Sequence, residues 1–332
     1  MKIANHDLRE RVFIVAEIGN NHEGNFDVAC RMVEAAAESG VDAVKFQTFK
    51  TRLFTSNADP ARFERLSKFE LTQDQFLQLE KLARSRGIGF FSTPLDLESA
   101  AFLAPIVDVF KIASGDNNFW PLLRFAAKSG KPMIVSTGLA DMAHVEAVQR
   151  FLRDEGAGDR HAFLHCVAAY PVPANEVNLR VIPMLAEKLK VPIGWSDHTM
   201  GPRAALAATA LGARIIEKHF TLDKNFSAFR DHQLSADPAE MRQIVDGIRE
   251  IEALLGTPDK RVMPSEQGTV LPARRSIAAA RDLPQGHELV ATDLMWVRPG
   301  TGLAPGNESK LVAHTLTRAV KTGEAITEKD IA

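Results

Sequence analysis

The chain has 332 residues, about twice the usual length of one domain, so one large domain with a small appendage and two mid-sized domains are both open. Charged residues make up 25% and hydrophobic ones 45%, and 40 Lys and Arg against 42 Asp and Glu leave a formal charge of -2. This balance excludes gross disorder and a strongly basic nucleic-acid binder, and it suits a soluble enzyme.

The N-terminal stretch MKIANHDLRE carries charge where a signal peptide needs an apolar run. No segment approaches the roughly 18 uninterrupted apolar residues of a membrane helix, so a cytoplasmic location with neither membrane nor nucleic-acid partner is expected. From Phe13 onward, short β-rich apolar runs alternate with stretches of helical periodicity, the pattern of βα units on a parallel sheet. Eight such runs lie at 13–18, 43–47, 88–92, 109–113, 132–136, 162–166, 192–196 and 214–220. Phe26 to Ser39, Gln73 to Arg86, Asn118 to Ser129 and Met142 to Glu155 carry apolar residues at three-to-four spacing and are predicted helices. Eight strands with eight helices predict an α/β fold, a (β/α)8 TIM barrel over residues 1–256. An open doubly wound sheet uses the same units, but neither GxGxxG after the first strand nor GxxxxGK[ST] occurs.

After a last barrel helix, Pro238 to Leu255, the Gly-, Pro- and polar-rich residues 257–272 read as a linker. Residues 273–332 contain short β-type runs separated by turn signals such as LPQG, RPGTG and KTGE, which predicts a small β-rich C-terminal domain.

A (β/α)8 barrel carries its active site at the C-terminal ends of its strands, and all eight predicted strands end in polar groups. Lys45 and Lys111 stand within apolar strands, where an unpartnered ammonium costs several kcal/mol. An internal ion pair with Glu17 or Glu217 is one account. The other is a cradle for a small polyanion bearing phosphate and carboxylate, because Ser92, Thr93, Ser114, Ser136 and Ser196 lie at neighbouring strand ends. His198 and His219 end consecutive strands, and two imidazoles fit Mn, Co, Zn or Fe better than Mg. His22 and His165 are weaker candidates, and Cys30 and Cys166, without CxxC spacing, read as buried thiols. Tyr170, between prolines after strand six, suits either a hydroxyl contact to a polar substrate or loop packing.

AEIGNNHEG, AVKFQTFK, FFSTP, FKIASGDNN, IVSTGLA, LHCVAAYP, GWSDHTMG and EKHFTLD, in this order, resemble the strand-end motifs of the sialic acid synthase family. ARRSIAAARDLPQG and MWVRPGTGL resemble its C-terminal antifreeze-like (SAF) domain, so the resemblance runs from about residue 10 to the end. Members of this family condense phosphoenolpyruvate with an amino sugar. The resemblance implies that Lys45 and Thr93 hold the phosphoenolpyruvate carboxylate, and that Lys111, Ser114, Ser136 and Ser196 hold its phosphate. It further implies a divalent metal on His198 and His219, manganese first with magnesium or cobalt as alternatives. Glu17, Gln47, Asn57, Tyr170 and Asp231 would contact the sugar, and Glu17 and Asp116 would serve catalysis, Asp116 by handling the attacking water. Arg298 matches an arginine that reaches the partner subunit's active site, which implies a homodimer with a swapped SAF domain.

Two departures bear on the acceptor. Ala168 stands where bacterial members often have asparagine, and Phe229-Arg230-Asp231-His232, with one extra residue before it, stands where many have GPDH. An acceptor other than plain N-acetylmannosamine, such as a 2,4-diacetamido hexose, is therefore expected. The rival readings are a Schiff-base pyruvate aldolase using Lys45 or Lys111, and a catalytically silent sugar-binding protein.

Overall fold

A computed structural model describes residues 1–332. The chain divides into two compact units, Met1–Gly256 and Thr257–Ala332. In the first, eight parallel strands follow one another around a barrel: β1 (Phe13–Gly19), β2 (Ala43–Thr48), β3 (Gly89–Pro94), β4 (Phe110–Ile112), β5 (Met133–Ser136), β6 (His161–Cys166), β7 (Ile193–Asp197) and β8 (Ile215–His219). Seven ladders join them, including the one that closes β8 onto β1 through Ile215 opposite Phe13. The seam between β3 and β4 carries no ladder, so the expected barrel is nearly closed rather than fully hydrogen-bonded.

The strands are buried along almost their whole length, as both faces of a barrel wall must be. Gly194 in β7 shows how tightly the wall packs: a Cβ there would stand 2.4 Å from the Ile215 carbonyl oxygen and 2.6 Å from Leu164. The outer helices start where the sequence provides caps. Asn25 accepts from the Val28 N–H at the head of α1 (Phe26–Glu38), and Thr72 and Gln75 form a reciprocal capping box ahead of α2 (Gln73–Ser85). Asp237 accepts from the Glu240 N–H, with Pro238 in the first turn, at the head of α3 (Pro238–Leu255). The predicted helix from Asn118 begins at Trp120, because Pro121 fits only a first turn. An additional helix, Pro60–Phe69, lies in the long excursion between β2 and β3.

In the second unit, β9 (Ser276–Ala279) pairs antiparallel with β10 (Leu294–Val297) over a separate core of Ile277, Leu283, Leu289, Leu311, Leu316, Val320 and Ile326. The segment read as a linker includes an exposed one-turn start at Pro264–Glu266, where Glu266 accepts from the Met263 N–H, followed by a short helix, Gln267–Ala273.

Candidate active site

The strand ends converge on a cavity of about 1200 Å³. Side-chain alternation along each strand points Glu17, Lys45, Gln47, Thr93, Lys111, Ser136, Ser196, Glu217 and His219 into it. Ser114, Tyr170, His198 and Asp231 enter from the loops that follow. At its floor two ammonium groups meet two carboxylates. Lys45 Nζ lies 2.7 Å from Glu17 Oε2 and 3.7 Å from Glu217 Oε2, and Lys111 Nζ lies 3.5 Å from Glu217 Oε1. Both accounts of the lysines thus find a place: they are ion-paired as the structure stands, and they face the cavity.

Hydroxyls complete this floor. Lys45 Nζ donates to Thr93 Oγ1 at 3.2 Å, Lys111 Nζ donates to Ser136 Oγ at 2.9 Å, and Ser196 Oγ donates to Glu217 Oε1 at 3.1 Å. Gln47 donates to Glu17 Oε1 at 3.3 Å and accepts from Asn20 at 2.9 Å. Burial pushes the Glu17 carboxyl up to about 7, against the pull of Lys45 and with the help of Glu217. Burial also lowers Lys111, whereas Glu17 and Glu217 together outweigh the burial of Lys45 and raise it. Glu217, between the two ammoniums, is held below the ordinary carboxylate value despite its burial. The floor is therefore close to neutral overall, with one carboxyl poised to carry a proton.

The two histidines meet at one rim. Their ring centroids are 5.4 Å apart, and Tyr170 stacks on His198 at 4.1 Å while standing edge-on to His219 at 5.9 Å. His198 Nδ1 donates to the Val167 carbonyl at 2.9 Å, so that in the neutral ring Nε2 carries the lone pair; against the lowering effect of burial, the neighbouring Cys166 and this bond raise the ring's pKa. His219 Nδ1 is buried without a hydrogen-bond partner. Burial holds His219 well below its ordinary pKa, so it is neutral and able to coordinate. No group of three His, Cys, Asp or Glu side chains forms a closed metal cage. Two imidazoles beside an open cavity would leave most positions of a bound ion to water and substrate oxygens.

Four expected site residues are not among the cavity lining. Ser92, expected in the polyanion cradle, is turned into the barrel wall, where its hydroxyl shares a hydrogen bond with that of Thr48 at 2.7 Å. Asn57 is exposed in the loop ahead of the Pro60–Phe69 helix, and it is that helix which turns Arg62, Arg65, Leu66 and Phe69 toward the cavity instead. Asp116 ends the 3-10 turn after β4, beside the lining residues Ser114 and Gly115; burial pushes its carboxyl up to about 6, with Lys111 opposing. Arg298 is exposed just after β10 in the second unit. His165 is a core histidine, bonded through Nε2 to the Val177 carbonyl and packed on Trp195. His22 accepts from the Gly24 N–H, and burial lowers its pKa to about 4.

Several lining residues carried no readable signal. Cys166 Sγ lies 3.8 Å from His198 Nδ1, a neighbour 32 residues away that no local spacing announces. The excursion helix shows its cavity face only as the spacing of Arg62, Arg65, Leu66 and Phe69. Phe69 packs edge-on against Phe229 at 5.4 Å, and the Arg230 guanidinium lies over the Tyr170 ring at 5.0 Å, so the altered loop after β8 becomes part of the wall.

The fold and the site together define a (β/α)8-barrel enzyme with a separate SAF unit. Residues 32–260 match the family model described as NeuB family, and residues 274–332 match the SAF domain. The chain is similar to the N,N'-diacetyllegionaminic acid synthase of Legionella pneumophila, 37% identical over 95% of this chain and 93% of that protein. It is also similar to the human N-acetylneuraminate-9-phosphate synthase, 34% identical over 96% of this chain and 92% of that protein. The crystal structure of N-acetylneuraminic acid (sialic acid) synthetase from Leptospira borgpetersenii in complex with citrate superposes with a TM-score of 0.76 at 33% identity, covering 81% of this chain and 94% of that one. The chain belongs to the NeuB family of sialic and related nonulosonic acid synthases.

Proposed function

We propose that the chain condenses phosphoenolpyruvate with an open-chain N-acetylated hexosamine to give a nonulosonic acid, phosphate leaving by C–O cleavage. The observation that carries this reading is the buried floor of Lys45, Lys111, Thr93, Ser136 and Ser196 opening on one cavity. Lys45 and Thr93 would take the carboxylate of phosphoenolpyruvate, and Lys111, Ser114, Ser136 and Ser196 its phosphate, as charge-assisted hydrogen bonds. A trianion entering here would compete with Glu17 and Glu217 for the two ammoniums. Glu17, released from Lys45 as an anion whose carboxyl is raised to about 7, would then be poised to accept a proton later in the reaction.

In the reaction, C3 of phosphoenolpyruvate would attack the sugar aldehyde, water would add at C2 of the resulting cation, and the tetrahedral intermediate would expel phosphate. Glu17 and Asp116 would stabilise the cation and handle the water's proton. Gln47, Tyr170 and Asp231 would orient the sugar. His198 and His219 fit a divalent metal, manganese first with magnesium or cobalt as alternatives, and such an ion would supply polarisation of the aldehyde oxygen. Arg298 would come from the partner of a homodimer with swapped SAF domains. Ala168 in the lining and the Phe229–Arg230 wall support a 2,4-diacetamido hexose over plain N-acetylmannosamine as acceptor.

Phosphoenolpyruvate labelled with 18O in the bridging position tests the bond cleaved. Label recovered in inorganic phosphate supports the reading; label retained in the sugar acid refutes it. The lowered Lys111 is the one feature that favours a Schiff-base aldolase; borohydride trapping of pyruvate on Lys111 would establish that alternative.

A further inference from the structure

Behind the two histidines, on the face of the barrel wall turned away from the cavity, lies a second ion pair. Lys218 and Asp197 are register partners in the β7–β8 ladder, and their side chains are both 0% exposed. Lys218 Nζ lies 3.2 Å from Asp197 Oδ2 and also donates to the carbonyl of Thr199. Asp197 Oδ1 accepts from the Thr199 N–H at 2.8 Å and from its hydroxyl at 2.7 Å. Every bond of this cluster straddles His198 or adjoins His219. A buried ion pair is weak evidence for stability, since an apolar pair of similar volume often does as well or better. Its worth here is directional: it ties the backbone on both sides of His198 to the residue that precedes His219.

We propose that Lys218 and Asp197 are positioning residues, a clamp that holds the His198 and His219 imidazoles at the separation and orientation needed to share one divalent cation. The proposal rests on the metal assignment above. The clamp touches neither the cavity nor any substrate, so its loss should weaken the metal and spare phosphoenolpyruvate. Outer-shell partners of metal ligands typically contribute about 10- to 100-fold in affinity, and that is the size expected.

The test is titration of Mn²⁺ alone, followed by electron paramagnetic resonance, on full-length wild type, Lys218→Met, and the neutral pair Asp197→Asn/Lys218→Met. The double variant keeps an acceptor for Thr199 and leaves no unpaired buried charge, so it answers the question if the single variant fails to fold. Phosphoenolpyruvate affinity by calorimetry and the near-ultraviolet dichroism of the aromatic side chains are read in parallel. The expected result is a Mn²⁺ Kd raised at least about 10-fold, with phosphoenolpyruvate affinity within about twofold. Mn²⁺ affinity equal to wild type in the folded double variant overturns the clamp and leaves the metal assignment standing. Equal losses of both affinities show a merely structural pair and also overturn it. A wild type that takes up no Mn²⁺ overturns the metal assignment and the clamp together.

Discussion

Lys45 Nζ and Glu17 Oε2 are 2.7 Å apart at the floor of the barrel, both side chains almost fully buried. Removing one member of such a pair leaves a buried charge that costs about 3–5 kcal/mol. Lys45→Met is therefore expected to lower the thermal midpoint and abolish turnover. Glu17→Gln/Lys45→Met should recover much of the midpoint and none of the turnover. Scanning calorimetry with a phosphate-release assay checks both halves; a double variant as unstable as the single one would show that the pair is not the source of the loss.

Asp116 gives a pH signature. Its carboxyl is raised from the ordinary 3.8 to about 6, chiefly by burial. Between those values the unfolded chain has lost a proton that the folded one keeps, so stability falls as pH rises and levels off above about 6. Asp116→Asn removes this slope. The variant's midpoint should match wild type near pH 3.8 and exceed it increasingly up to about pH 6. A difference independent of pH over that window would contradict the assignment.

Gly194 is a packing prediction. An added methyl would meet backbone of the adjacent strand as well as Leu164, so Gly194→Ala should cost about 1–3 kcal/mol, the usual range for overpacking a core. Thermal denaturation reads it, and an unchanged midpoint would mean that β7 and β8 can separate at no cost.

The barrel was legible because each strand is short, apolar and separated from the next by helical periodicity, and most of the cavity's polar lining was legible because it concentrates where strands end. The places of the lysines, of the two histidines and of every expected hydroxyl but Ser92 follow from that rule; side-chain alternation turns Ser92 away from the cavity, onto Thr48. The open seam between β3 and β4 was not legible, since ladder geometry leaves no mark on composition. Nor were Arg62, Arg65 and Phe69, which reach the cavity on a helix inserted between two barrel strands, while Asn57, a few residues before them, stays in solvent. Cys166 was read as a core thiol because its neighbour His198 is close only in space.

Arg298 tests the assembly proposed for the chain. Arg298→Ala should remain folded and dimeric by sedimentation while losing most activity, because the substitution removes a charge from an exposed position after β10. Turnover like wild type would remove the arginine from the site.

The most direct measurement is release of inorganic phosphate from phosphoenolpyruvate by chelated enzyme, before and after Mn²⁺ is restored, with N-acetylmannosamine, 2,4-diacetamido hexoses or no sugar. The account predicts release only when both metal and an N-acetylated acceptor are present, fastest with a diacetamido hexose. Release without metal, or none with any acceptor while phosphoenolpyruvate still binds, would contradict it.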